Sequence, residues 1–120
     1  MAEHNDLGNK GEEVALQFLV DKGYNILETN WTYGKEEIDI IAIDKEFLIV
    51  VEVKTRYTDE YGDPAEFVNK NKQRLLVKAA QAYVERHRIQ QEVRFDIISI
   101  ILNSAETRIK HLPNAFYPVL

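Results

Sequence analysis

Apolar residues recur at helical spacing near the start of the chain, with Leu7, Gly11, Val14, Ala15, Phe18 and Leu19 on one face. Asn5 or Asp6 can cap the start of this segment. Gly23 stands where a left-handed residue would close a helix over residues 7–22. The period then changes. Residues 24–29 read as a short strand, and residues 37–43 and 47–55 as two strands rich in Ile and Val. Only Asp44-Lys45-Glu46 separates the latter two, which is too short for anything but an antiparallel hairpin. A second helical pattern lies between about Pro64 and Arg88, with Val68, Leu75, Leu76, Ala79, Ala80 and Tyr83 on its inner face. Its start has two readings: Asp63-Pro64-Ala65-Glu66, with Pro in the first turn, or a later start capped by Asn69. Residues 94–102 form a further strand, with residues 108–112 as a short partner across Asn103-Ser104-Ala105-Glu106. The order α-β-β-β-α-β-β predicts an α/β fold, a mixed sheet with helices packed against it.

A length of 120 residues fits one domain, here residues 1–120, large enough to build a core without staples. The absence of cysteine excludes a disulfide scaffold, thiol catalysis and Cys-based metal sites. The polar, acidic first residues lack a signal-peptide pattern, and no apolar run approaches the roughly 18 residues of a membrane span. A soluble cytoplasmic protein with no membrane contact is therefore expected. The net charge of −5 at first argues against nucleic acid. Its distribution reverses the argument. Residues 1–66 hold sixteen acidic and six basic side chains, whereas residues 67–120 hold four and nine. The basic excess concentrates on the second helix, at Lys70, Lys72, Arg74, Lys78, Arg86 and Arg88, where a phosphate backbone could lie.

The candidate chemistry comes from charged residues inside apolar strands: Asp39, Glu52 and Lys54. Strand side chains alternate, so Glu52 and Lys54 share a face. A two-residue turn at Lys45-Glu46 pairs Asp44 with Phe47 and, counting outward, sets Asp39 opposite Glu52. Two carboxylates and an ammonium then converge. Carboxylates this close repel unless a cation joins them, and a hard ion such as Mg²⁺ suits oxygen ligands. Such an ion can acidify water and take up charge on a phosphoryl oxygen, while a neighbouring Lys orients the attacking water or neutralises developing charge. These residue types suit phosphodiester hydrolysis. A plain ion pair on a solvated sheet face accounts for them equally well.

The spacing from Asp39 to Glu52-Val53-Lys54, after Leu48-Ile49-Val50-Val51, resembles the PD-(D/E)XK nuclease signature, whose α-β-β-β-α-β core carries the acid on the second strand and E-x-K on the third. More closely, the chain resembles the YraN-like family, itself similar to archaeal Holliday-junction resolvases. The matching stretches are Gly8-Asn9-Lys10-Gly11-Glu12, residues 37–42, residues 51–56, Lys72-Gln73-Arg74-Leu75 with Ala79-Ala80, Arg94-Phe95-Asp96 and Asn114-Ala115-Phe116. The resemblance implies a restriction-endonuclease-like core and a nuclease cutting DNA, branched or damaged, with Mg²⁺ or Mn²⁺. Asp39 and Glu52 would be metal ligands, Lys54 the catalytic lysine, the Val53 carbonyl a further ligand and Glu12 the helix-one carboxylate. Arg56, Lys70, Lys72, Gln73 and Arg74 are the expected nucleic-acid contacts, with Gln73 facing the site. The family pattern has Gly before the Glu-Ile/Leu-Asp element, where this chain has Glu36.

Other residues carry less. Glu12 also reads as a first-turn Glu favoured by the helix dipole. Lys72 and Arg74 also read as solvated helix charges. Asp96 is either a site residue or the partner of a neighbouring Arg. His4, His87 and His111 have no ligand spacing. Trp31, Tyr33 and Tyr57 could stack on bases or pack at a sheet edge. Resolvase-like proteins often cut as symmetric dimers, so a homodimer is expected to use residues 95–102 and Phe116-Tyr117-Pro118, although core packing explains these as well. The competing function is a catalytically inactive module of the same fold that holds nucleic acid or protein.

Overall fold

The computed structural model describes residues 2–60, 62 and 68–116, with side chains from Asp6 onward. The elements are α1 (Ala2–Asp21), β1 (Asn25–Tyr33), β2 (Glu36–Asp44), β3 (Phe47–Arg56), α2 (Lys70–His87), β4 (Glu92–Leu102) and β5 (Thr107–Phe116). The order is the one the hydrophobic pattern predicts. α1 ends in a left-handed Gly23 (φ 92°), with Gly23 N–H donating to the Val20 carbonyl and Tyr24 N–H to that of Leu19. This is a Schellman closure, and it turns the chain directly into β1.

One sheet runs in the order β1-β2-β3-β4-β5. The first three strands are an antiparallel meander, β3 and β4 are parallel, and β5 returns antiparallel along β4. Parallel β3 and β4 need a long crossover, and α2 lies within it. Alternation along β3 sorts the core into two. Leu48 and Val50 join Leu76, Ala80 and Tyr83 of α2, whereas Ile49, Val51 and Val53 join Ala15 and Leu19 of α1. The helices therefore cover opposite faces of the sheet, giving the expected mixed sheet with an α-β-β-β-α-β core.

The structure corrects and refines details of the sequence reading. α1 already begins at Ala2, so Asn5 and Asp6 lie within the helix rather than capping it, and Glu12 is not in its first turn. β1 runs on to Tyr33 and β5 to Phe116. α2 begins at Lys70, the later of the two starts, with the Asn69 side chain accepting from Lys72 N–H at 2.9 Å. The alternative start at Pro64 lies outside the described residues. Leu75 is 40% exposed, and Val77 is buried instead, in the α2-side core with Leu76, Ala79, Ala80 and Tyr83. The surface suggested for a dimer at residues 95–101 is core: every one of these is buried between the helices and the flanking strands. Tyr117 and Pro118 lie outside the described residues.

Gly11 sets how closely α1 approaches β3. A Cβ there would lie 1.9 Å from Thr55 Oγ1 and 2.8 Å from Thr55 Cβ, and Thr55 is buried and branched. Gly11→Ala must push α1 away, and overpacking of this kind costs about 1–3 kcal/mol. Thermal denaturation should show the melting point falling by roughly 5 °C or more.

Candidate functional site

The β2–β3 ladder follows the register deduced from the two-residue turn, from Asp44↔Phe47 to Ile40↔Val51. Lys45 makes the turn in the left-handed region (φ 56°). Beyond Val51 the two strands part, while β3 continues to Arg56 against β4. Parting strands leave backbone groups without a ladder partner, which must be satisfied some other way. Here the Asp39 carboxylate moves into the gap and accepts from Val53 N–H at 2.8 Å. The N–H and C=O of one strand residue point to the same side, so the Val53 carbonyl opens toward this gap as well.

Around Asp39 the acidic groups gather from α1 and β2, with Glu52 of β3 beside them. Carboxylate oxygens of Glu12 (α1), Glu37 and Asp39 (β2) lie within 4.8 Å of one another. Asn30 of β1, in the left-handed region at φ 51°, donates through Nδ2 to Glu12 at 2.7 Å and to Glu37 at 3.5 Å. Asn is one of the few residues that tolerates this conformation, and here it ties helix and strand together. Burial, the Glu52 charge and the Glu12 charge push the Asp39 carboxyl up to about 8, against the lowering effect of Val53 N–H. Without a cation, Asp39 therefore holds a proton at neutral pH and hydrogen-bonds Glu52.

Glu52 is 5% exposed and makes ion pairs with Lys54 at 3.5 Å and with Lys72 at 3.9 Å. Lys72 is also paired with Glu36. It stands in the first turn of α2, at the positive end of the helix dipole, where a cation has no helical reason to be. The carboxylates hold it: burial would lower its pKa, but Glu36 and Glu52 raise it on balance and keep it charged. Glu36, which departs from the family pattern, thus serves as a partner for a cation from α2.

The structure brings Asp39, Glu52, Lys54 and Glu12 together as the sequence suggested. Lys72, expected on the nucleic-acid surface, reaches into the site instead. Gln73 does not; its amide donates to the Val68 carbonyl at 3.1 Å. Lys70 and Arg74 are exposed on α2, and Arg56, also exposed, donates to the Thr55 carbonyl at 2.8 Å. Glu37 was missed, although the alternation that pairs Glu52 with Lys54 would have placed it beside Asp39. Asn30 left no signal, because its role depends on a backbone angle.

Asp96 belongs elsewhere. It is fully buried, receives two bonds from Arg94 at 2.9 Å, one from His111 Nε2 at 2.7 Å and one from Asn114 N–H at 2.9 Å. Lys22 Nζ lies 2.8 Å from His111 Nδ1, so the tautomer with hydrogen on Nε2 satisfies both neighbours. Burial raises the Asp96 pKa, but the bonds from His111, Arg94 and Asn114 outweigh it and hold the carboxyl below its usual value. Its stabilisation is therefore full above about pH 4 and is lost as the solution is acidified through its folded pKa. Asp96→Asn should cost about 2 kcal/mol in urea denaturation at pH 7, and the difference should shrink toward pH 3.

The architecture is a mixed α/β core whose sheet parts beside a cluster of carboxylates and lysines. The family profile of the uncharacterised protein family UPF0102 matches residues 11–100, and the chain belongs to that family. It is 53% identical to a UPF0102 protein of Christiangramia forsetii and 51% identical to one of Flavobacterium psychrophilum, each over 117 residues and 98% of both chains. A UPF0102 protein of Phocaeicola vulgatus is 43% identical over 118 residues, again 98% of both chains. Among the described residues no helix is long and apolar enough to cross a membrane.

Proposed function

We propose that the chain is a metal-dependent nuclease that hydrolyses phosphodiester bonds in DNA, with the whole chain forming one PD-(D/E)XK-like domain. The observation that carries this reading is Asp39: a carboxyl drawn into the parting of β2 and β3, beside Glu52 and Lys54 and within 4.8 Å of two further carboxylates. Such a donor set, all oxygen and over-rich in negative charge, fits a hard divalent cation. Asp39, Glu52, the Val53 carbonyl and Glu12 would hold Mg²⁺ or Mn²⁺, with Glu37 within reach. When bound, the cation supplies Lewis-acid chemistry, acidifying water and drawing charge from the phosphoryl group. Lys54, with a side chain 24% exposed, presents its ammonium at the rim, where it can orient the attacking water and meet charge developing on the phosphate. Asp39 must lose its proton for the site to load, so pH and metal act on the same group. Lys70, Arg74 and Arg56 are exposed cations for the flanking phosphates.

One observation favours a binding module instead: Glu52 is already neutralised by two lysines, and Lys72 is shared with Glu36. Cleavage of linear, single-stranded and four-way-junction DNA with Mg²⁺ or Mn²⁺ separates the readings. Metal-dependent cutting of any of these supports the enzyme. DNA binding with no cutting under any condition would leave only the module.

A further inference from the structure

A second feature of the same face has no part in the metal chemistry. Trp31 and Tyr33, two apart on β1, point to the α2 side of the sheet. Their rings are parallel within 8°, with centroids 6.5 Å apart. β1 is an edge strand, so the array is open on one side. Trp31 is held from beneath by buried Tyr83, whose ring meets it at 87° and 5.1 Å. Tyr83 is in turn fixed by its hydroxyl, which donates to Glu28 at 3.2 Å, and by His87, stacked on it at 4.0 Å. Tyr33 is 40% exposed. The Arg86 guanidinium lies 5.9 Å from the Trp31 ring and 5.3 Å from that of Tyr33, and among the described residues it is paired with no carboxylate. Simple edge packing would bury the outer ring, whereas here the outer ring is exposed and the inner one is braced.

The platform is continuous with the candidate site. Tyr33 stands opposite Glu36 in the β1–β2 ladder, and Glu36 holds Lys72, which reaches Glu52. Lys72 and Arg86 mark the two ends of α2, about 21 Å apart at the usual helical rise. Lys70, Arg74 and Lys78 are exposed on that helix. A polyanion lying along α2 would therefore meet the carboxylate site at one end and an aromatic stack with an unneutralised guanidinium at the other. Bases inside a duplex are already stacked, so an exposed ring rewards only a base that is unpaired.

We infer that Trp31, Tyr33 and Arg86 form a stacking platform for an unpaired base, and that this chain selects single-stranded segments of nucleic acid, such as those flanking a branch or gap. The base stacks on Tyr33 and the adjacent phosphate meets Arg86. The inference rests on the nucleic-acid reading of the site, but not on catalysis.

Trp31 is the only tryptophan in the chain, so its fluorescence reports on the platform itself. The test is titration of the metal-free protein at low salt with single-stranded oligothymidylate, and with a blunt duplex of equal length, following Trp31 emission and the anisotropy of labelled DNA. Single strands should quench Trp31 saturably and bind more tightly than the duplex. Tyr33→Ala should weaken single-strand binding at least fivefold, and Tyr33→Phe should restore most of it. Arg86→Ala should weaken binding and flatten its salt dependence. Equal affinity for duplex, or a Tyr33→Ala variant that binds single strands as the parent does, would overturn the platform. Absence of any DNA binding would overturn it too. The nuclease reading is judged separately, by metal-dependent cleavage, so either can fail while the other stands.

Discussion

Lys54→Ala should lower metal-dependent cleavage of DNA by about 10²–10³-fold, with the loss in kcat rather than in KM. The reason is geometric. Lys54 follows Glu52 by two residues on the same face of β3, so its ammonium is delivered to the edge of the carboxylate cluster by strand alternation alone. Lys72 sits 3.9 Å from Glu52 but is also engaged by Glu36, so it cannot easily take over the role. It can, however, continue to neutralise Glu52, and the partly exposed Lys54 side chain contributes little to packing. The variant should thus remain folded, with a melting point within a few degrees of the parent. Steady-state kinetics on the best DNA substrate checks the claim. Unchanged kcat in Lys54→Ala would remove Lys54 from the mechanism, and cutting that persists without metal would remove the whole assignment.

The second large effect is on stability and its pH dependence. Asp39 titrates near the ordinary carboxylate value of 3.8 when unfolded and is pushed up to about 8 when folded, by burial first and by Glu52 and Glu12 next. Between those values the folded state keeps a proton that the unfolded state has released, so raising the pH favours unfolding. The contribution is full below about pH 4 and is gone once pH passes about 8. Asp96 works in the opposite sense, being held below its usual value, and sets the acid limit. The metal-free protein should therefore be most stable near pH 4–5. Its melting point should fall on the order of 10 °C toward pH 8 to 9. Asp39→Asn cannot ionise, so its profile should lose most of that slope and it should be the more stable protein at high pH. Mg²⁺ should raise the parent's melting point most where Asp39 is ionised, and should do little for the variant. Scanning calorimetry across pH 4–9, with and without Mg²⁺, measures all of this. Parallel slopes for parent and variant would refute the role given to Asp39.

The two effects share one cause, the parting of β2 from β3. An antiparallel ladder that ran on past Ile40 and Val51 would have satisfied Val53 N–H from the backbone. Because the ladder stops, a side chain does so, and that side chain is the Asp39 carboxyl. The same event places Asp39 against Glu52, Glu12 and Glu37 together. The carboxylates thus come from local strand geometry and from a helix delivered by the close approach of Gly11 to Thr55.

Much of this was legible in the chain. Strand alternation and a two-residue turn determine the hairpin register and place Glu52 with Lys54. Helical periodicity determines both helices, and Gly23 the end of the first. These are short-range properties: each depends on a few neighbouring residues and on fixed backbone geometry. Tertiary structure decided the rest. The start of α2 depended on whether Asn69 or the Asp63-Pro64 pair would cap it, and local preference favours both. Lys72 reads as a solvated helix charge until the crossover sets the first turn of α2 against Glu36 and Glu52. Asp96 reads as either a site residue or the partner of a neighbouring Arg until Arg94 and His111, the latter from β5, enclose it and decide for the second. Asn30 and the Trp31–Tyr33–Arg86 array depend on a backbone angle and on the packing of α2 over the edge strand. Sequence determines what each element is because its hydrogen bonds and alternation are local. It leaves open which charges meet, because those distances are set only when helices and strands far apart in the chain dock on one another.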